Sequence, residues 1–208
     1  ALSRRDEPRL LTDVIMDDAK RVEIVRKAVG RGAELFIDAN CSLDLYHARQ
    51  LCQMIEPFDI EFFEEPVTQN DIRQMAELRS QTTIRLACGQ NEGQAYRFRD
   101  MMIAGAVDII QPNVAITGGF TQCQKIAALA NSFNISVDNG GAWPFFNQHL
   151  QAGLSNGGLV EYHYSSVEVC KHIYTGLPEP EQGWLTMTDA PGLGFDLNQA
   201  ALPHFEIN

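Results

Sequence analysis

Six oxygen-bearing side chains recur through the chain at nearly constant intervals. Asp38, Glu64 and Gln90 are 26 residues apart (64 − 38 and 90 − 64), and further steps of 23, 26 and 22 lead to Asn113, Asn139 and Glu161. Each ends a short apolar run: ELFID, IEFFE, IRLACGQ, VDIIQPN, ISVDN and LVE. Carboxylate and amide side chains can all offer oxygen, so a set of them gathered at one point could hold a bound cation. Asp38 and Glu64 also adjoin Phe36, Ile37, Phe62 and Phe63, where an unpaired carboxylate is costly and a cation removes the cost. Taken singly, an Asp or Asn after a strand is more often a turn former or a cap. The regular series is what that reading leaves unexplained.

Such a series requires a repeated unit of strand and helix. Strands are predicted over 34–38, 60–64, 84–89, 107–111, 135–138 and 159–162, from β-branched and aromatic runs bounded by turn residues. Between them apolar residues take helical spacing: Ala48, Leu51, Cys52 and Ile55 share one face, and Phe120, Cys123, Ala127, Ala130 and Phe133 another. A first helix is predicted over Asp17–Val29, with Ser42 and Asn70 as N-caps of later ones. This alternation implies right-handed crossovers and an α/β fold with a parallel sheet. Polar side chains at successive strand ends favour a (β/α) TIM-type barrel over an open doubly wound sheet, because a barrel aims those ends at one mouth. A nucleotide-binding open sheet is disfavoured further, since neither Gly-x-Gly-x-x-Gly nor Gly-x-x-x-x-Gly-Lys follows a strand.

The 208 residues, 45% hydrophobic, are enough to bury a sizeable core. A formal net charge of −11 with no basic cluster excludes a nucleic-acid surface and an anionic membrane as partners. No apolar run approaches the ~20 residues that span a bilayer, and ALSRRDEPRL lacks the apolar stretch of a signal peptide; a cytoplasmic protein is expected. Five scattered cysteines without a Cys-x-x-Cys pair suggest reduced, structural thiols.

At DAN (38–40), FFEEP (62–66), GQNEG (89–93), VDIIQPNVAITGGFTQCQKIAALA (107–130) and APGLGFDLN (190–198), the chain resembles the enolase superfamily, in its mandelate racemase and muconate lactonizing enzyme branch. The likeness runs from about Asp17 to the C-terminus. It implies one Mg²⁺ held by residues ending the family's third, fourth and fifth barrel strands, which correspond to Asp38, Glu64 and Gln90. It implies proton abstraction beside a substrate carboxylate, with metal stabilisation of the enediolate. Candidate catalytic positions are Asn113, Asn139 and Glu161, the last matching an acid that hydrogen-bonds the substrate. A small-molecule carboxylate is the expected substrate, and a homo-oligomer the expected assembly.

The sequence also departs from that pattern. Gln90 is neutral where relatives carry a carboxylate, and Glu92 is an alternative ligand. Asn113 and Asn139 replace an Asp/His pair that transfers protons, and amides do not exchange protons near neutral pH. Dehydration of an acid sugar fits this loss better than racemisation, which needs proton donors on both faces of the carbon. A racemase or cycloisomerase, and a non-catalytic barrel, are the other readings. Of the nearby groups, Asp138 reads as a cap or support, His149 as a packed helical residue, and Trp143 and Phe145 as either pocket wall or core; Tyr162 and His163 are further candidates near the mouth, and Gly118–Gly119 a weak anion cradle. Six strands do not close a barrel built for eight, and an open barrel exposes unpaired edges. The chain is therefore expected to be part of a longer polypeptide, its capping domain and first two strands lying outside it. Residues 1–162 are read as the partial barrel, from the loop after the family's second strand through its eighth. Residues 163–208 are read as an extended tail that packs on barrel and capping domain.

Overall fold

The computed structural model describes residues 9–205. Residues 1–8, expected to begin a leading loop, and 206–208 of the tail lie outside the described residues. The described residues divide into two compact units, residues 9–88 with 96–109, and residues 89–95 with 110–205.

The first unit runs α1 (Leu11–Val29), β1 (Phe36–Asp38), α2 (Leu45–Ile55), β2 (Phe62–Glu64), α3 (Ile72–Arg79), β3 (Arg85–Cys88), nearly all of α4 (Ala95–Ile103) and the first residue of β4 (Ile109–Ile110). The strands are parallel, with Phe36 opposite Phe62, Asp38 opposite Glu64, and Glu64 opposite Ala87. The main-chain N–H of Asp108 donates to Leu86 O and brings the start of β4 alongside β3. Side chains alternate between the two faces. One face buries Phe63 and Leu86, each contributing roughly 1.5–3 kcal/mol. The other gathers Phe36, Phe62, Ala87 and Ile109, and two residues further along β1 and β2 the same face carries Asp38 and Glu64. Helix α2 buries the four residues predicted to share its inner face, and packs on α1 and α3.

Three local expectations are corrected here. Helix α1 begins at Leu11 rather than Asp17; Leu10 offers no side-chain cap, and the burial of Val14 and Ile15 supplies the stabilisation instead. The N-caps of α2 and α3 are Asp44 and Asp71, whose carboxylates accept from His47 N–H and from Arg73 and Gln74 N–H. Ser42 and Asn70 are already committed to the turns after the strands, Ser42 donating to Ala39 O and Asn70 to Glu65.

The second unit holds the loop 89–95, the end of β4, α5 (Phe120–Ser132), β5 (Ser136–Val137), α6 (Pro144–Ala152), α7 (Tyr164–Ile173) and an antiparallel pair, β6 (Tyr174–Thr175) with β7 (Asp196–Leu197). Asp138 N–H donates to Ile110 O, setting β5 beside β4. Within the first unit the strand order is β1-β2-β3. Helix α5 buries Cys123, Ile126, Ala127 and Ala130, but Phe133, expected on that face, sits past the last turn and is 40% exposed. A separate core joins Phe145, Val167 and Cys170, with Tyr162, Tyr174 and Phe195 packed around them.

The predicted strand 159–162 follows β5 without forming a regular ladder. Its main-chain N–H groups are taken by side chains, Leu159 N–H by Asp138 Oδ1 and Glu161 N–H by Asn139 Oδ1. Only Gly fits at 158, because a Cβ there would lie 2.1 Å from Asp138 Oδ1. The segment after Tyr162, read as extended, contains α7 and the β6–β7 pair. Among the described residues no helix is long and apolar enough to cross a membrane.

Candidate active site

In the first unit the site begins with two carboxylates at matching strand ends. Asp38 and Glu64 are partners across β1 and β2, and neighbouring strands lie about 4.7–4.9 Å apart, so one ion can reach both. Asp38 is oriented by the turn that follows it: Oδ1 accepts from Asn40 N–H at 2.6 Å and Oδ2 from Asn40 Nδ2 at 3.2 Å. That turn is left-handed at Asn40 and Cys41, with φ of 50° and 58°.

Glu65, the acid after Glu64, is 0% exposed. Its Oε1 accepts from Asn70 Nδ2 at 2.8 Å, and its carbonyl accepts from Cys41 N–H at 2.8 Å. It thereby links the turns after β1 and β2. Burial, followed by the charge and hydrogen bond of Glu65, pushes the Cys41 thiol up to about 12. The nucleophile is the thiolate, so Cys41, although only partly buried, is expected to resist iodoacetamide at pH 8 until the protein unfolds. Peptide mass spectrometry checks this. Alkylation of the native protein at the rate of free cysteine would show that Glu65 does not hold the thiol.

The second unit assembles a polar cluster around Asn113. Asn113 is 0% exposed, and its Nδ2 donates to Gly140 O at 2.8 Å and to Gly141 O and Ala142 O at 3.0 Å each. Its Oδ1 accepts from Ala115 N–H. Asn139 donates from Nδ2 to Gly140 O and accepts Glu161 N–H. Glu161 Oε2 accepts Ala142 N–H at 2.7 Å. Gln90 belongs to the same cluster: a Cβ on Gly141 would stand 3.2 Å from Gln90 Cβ and 3.4 Å from Gln90 Oε1. Thr117 Oγ1 accepts Asn113 N–H and donates to Glu92 O, tying in the loop that carries Gln90.

The structure thus brings Asp38 and Glu64 together in one unit, and Gln90, Asn113, Asn139 and Glu161 together in the other. His149 packs edge-on to Phe120 and its Nε2 contacts Leu193 O. His163 caps α7. Phe145 is core, whereas Trp143 lines an apolar cavity of about 250 Å³ with Val114, Phe120, Phe146 and Tyr174. Asn147, unnoticed in the sequence, accepts Val114 N–H and donates to Ala142 O and Trp143 O. Its signal was a polar residue inside FFNQHL, on a helix otherwise buried there.

Among the described residues no group of three or more His, Cys, Asp or Glu side chains is arranged for a metal ion. A pair of carboxylates is nonetheless a fitting set for Mg²⁺, which is commonly held by one or two carboxylates and completes its octahedron with water and substrate.

With this architecture and these strand ends in view, the chain belongs to the enolase C-terminal domain-like family, whose model matches residues 8–201. Its curated relatives include acid-sugar dehydratases and cycloisomerases. Arabinonate dehydratase of Saccharolobus solfataricus is 26% identical over 91% of this chain and 52% of its own length. A mandelate racemase/muconate lactonizing enzyme from a marine actinobacterium, solved in complex with magnesium, superposes with a TM-score of 0.83 at 32% identity, covering 91% of this chain and 54% of that one. L-talarate dehydratase from Polaromonas sp. JS666, complexed with Mg and L-glucarate, superposes at 0.84 with 28% identity, covering 91% and 52%. The chain spans about half the length of the curated relatives it matches.

Proposed function

We propose that the protein is an Mg²⁺-dependent dehydratase of acid sugars. The observation that carries this reading is the in-register pair of Asp38 and Glu64 at the ends of adjacent parallel strands. These two residues would hold the ion, with Gln90 the next position of the series. When bound, Mg²⁺ supplies Lewis-acid stabilisation of a substrate carboxylate as its α-proton leaves. The relatives named as dehydratases, and the neighbour solved with Mg and L-glucarate, support the substrate class.

In dehydration a base, expected in the N-terminal part of the whole protein, takes the α-proton, the C–H pair becomes a C=C bond, and the neighbouring C–O bond breaks as the hydroxyl takes a proton from a general acid and departs as water. The resulting enol tautomerises to a 2-keto acid. One base and one acid suffice. Asn113 and Asn139 do not move protons, but Glu161 can. Its carboxylate has about four acceptor sites and uses one on Ala142 N–H, so it retains capacity to accept from a substrate hydroxyl. The test is a screen of the whole protein with aldonic and aldaric acids and Mg²⁺, read by 2-keto acid formation. Absence of both turnover and metal-dependent stabilisation across the panel would remove the reading.

Gln90→Glu adds a negative ligand at the third position and is expected to raise Mg²⁺ affinity by roughly tenfold, since ligand charge tunes divalent sites. Calorimetric titration measures it. An unchanged affinity would favour a barrel that serves as a non-catalytic scaffold.

A further inference from the structure

The turn after β5 is the most strained backbone in the second unit's polar cluster. Gly141, Ala142 and Trp143 are consecutive residues with φ of 76°, 68° and 59°. For non-glycine residues such conformations are sparsely populated and persist only where the surroundings over-determine them. The surroundings here are Asn113 and Asn147. Three successive carbonyls, of Gly140, Gly141 and Ala142, converge on Asn113 Nδ2. Asn147 Nδ2 takes Ala142 O again, together with Trp143 O.

What the turn presents outward is functional in character. Ala142 N–H is aimed at Glu161 Oε2 at 2.7 Å. A Cβ on Gly141 would stand 3.2 Å from Gln90 Cβ and 3.3 Å from Asn113 Nδ2, so one of these neighbours would have to give by a few tenths of an ångström.

We infer that Asn113 is a positioning residue: its amide gathers the left-handed turn 141–143, and that turn sets the Glu161 carboxylate and the Gln90 amide. An amide is required because only –NH₂ can donate to the carbonyls while its oxygen still accepts Ala115 N–H. An Asp at 113 would place a carboxylate oxygen among three carbonyl oxygens. It would undo the turn rather than install a base. That Gln90 and Glu161 serve the reaction rests on the dehydratase reading; the clamp on the turn does not.

Trp143 reports on the turn directly. The other tryptophan, Trp184, is 75% exposed, so Trp184→Phe provides a background with one emitter. In the whole protein on that background, Asn113→Asp is expected to shift Trp143 emission to the red and increase its quenching by acrylamide. Its kcat for dehydration should fall by about a hundredfold, the range associated with a misplaced general acid, with a smaller change in KM. Unshifted emission, or faster exchange of the substrate α-deuterium, would overturn the inference, the latter because it would make position 113 a vacated base.

Gly141→Ala decides the matter should Asn113→Asp not fold. Its methyl group is expected to push Gln90 aside and weaken Mg²⁺ binding about tenfold, a change of ~1.4 kcal/mol. Wild-type affinity in that variant would refute the link to Gln90. A wild-type protein that binds no Mg²⁺ would instead remove the dehydratase reading, leaving the fluorescence result to judge the clamp.

Discussion

Asp38→Asn and Glu64→Gln are each expected to abolish Mg²⁺-dependent stabilisation and to reduce turnover by at least about a thousandfold, since Lewis-acid stabilisation supplies several kcal/mol. The two carboxylates are strand partners, so either amide leaves one carboxylate of the pair. For the wild-type protein, Mg²⁺ at about a hundred times its Kd adds roughly 2.7 kcal/mol, or some 5–10 °C in Tm for a domain of this size. Both variants should lose that rise. In EDTA, where there is no ion to lose, both variants are expected to melt close to the wild-type protein. Asn at 38 retains an oxygen for Asn40 N–H but sets its NH₂ against Asn40 Nδ2, so Glu64→Gln is the cleaner of the two comparisons. Melting with Mg²⁺ and with EDTA separates the cases: a merely structural carboxylate would lower Tm in both, and that result would exclude a metal role.

The features legible in the sequence are those where one local signal dominates. The inner face of α2 could be read because Ala48, Leu51, Cys52 and Ile55 stand at i, i+3, i+4 and i+7 with nothing competing, and all four are buried. The ends of β1 and β2 could be read because aromatic runs stop abruptly on a carboxylate, and equal spacing then implied equivalent positions; the register of Asp38 with Glu64 agrees. The caps could not be settled locally. Asn70 and Asp71 both cap well, and Asp71 takes the role because Asn70 is drawn to Glu65, a choice made by a buried carboxylate rather than by the helix. The segment 159–162 had strand composition, but Asp138 and Asn139 take its N–H groups with side-chain oxygens.

The polar cluster of the second unit was the least legible part. An Asn at a strand end gives no sign that its donors will meet carbonyls 27 to 29 residues further along. Composition around 140–143 suggested only glycine and apolar wall. Three consecutive left-handed residues there become intelligible only once the amides that hold them are seen.

Arg26→Met is expected to cost about 3–5 kcal/mol, the range for stripping one side from a buried charged network. The guanidinium is 8% exposed and donates to four main-chain carbonyls: Nε to Phe58 O, Nη1 to Gly30 O and Ala33 O, and Nη2 to Asp59 O, all at 2.7–2.8 Å. Gly30 caps α1, Ala33 lies in the loop before β1, and Phe58 and Asp59 close the 3₁₀ turn before β2. One side chain therefore fastens the entries to both strands that carry Asp38 and Glu64. Carbonyls at helix and turn C-termini carry partial negative charge, which offsets desolvation of the cation. Methionine approximates the aliphatic stem but leaves the four acceptors without their donor. Arg26→Lys should recover only part of the loss, because a point-like ammonium with three donors cannot span the fork of a planar guanidinium. Thermal melting of the whole protein should show Arg26→Met roughly 10 °C below wild type, and the Mg²⁺-dependent rise should persist, because the carboxylates remain. A loss under ~1 kcal/mol would mean that water replaces the guanidinium freely, and that α1 is held to the strand entries by its apolar contacts alone.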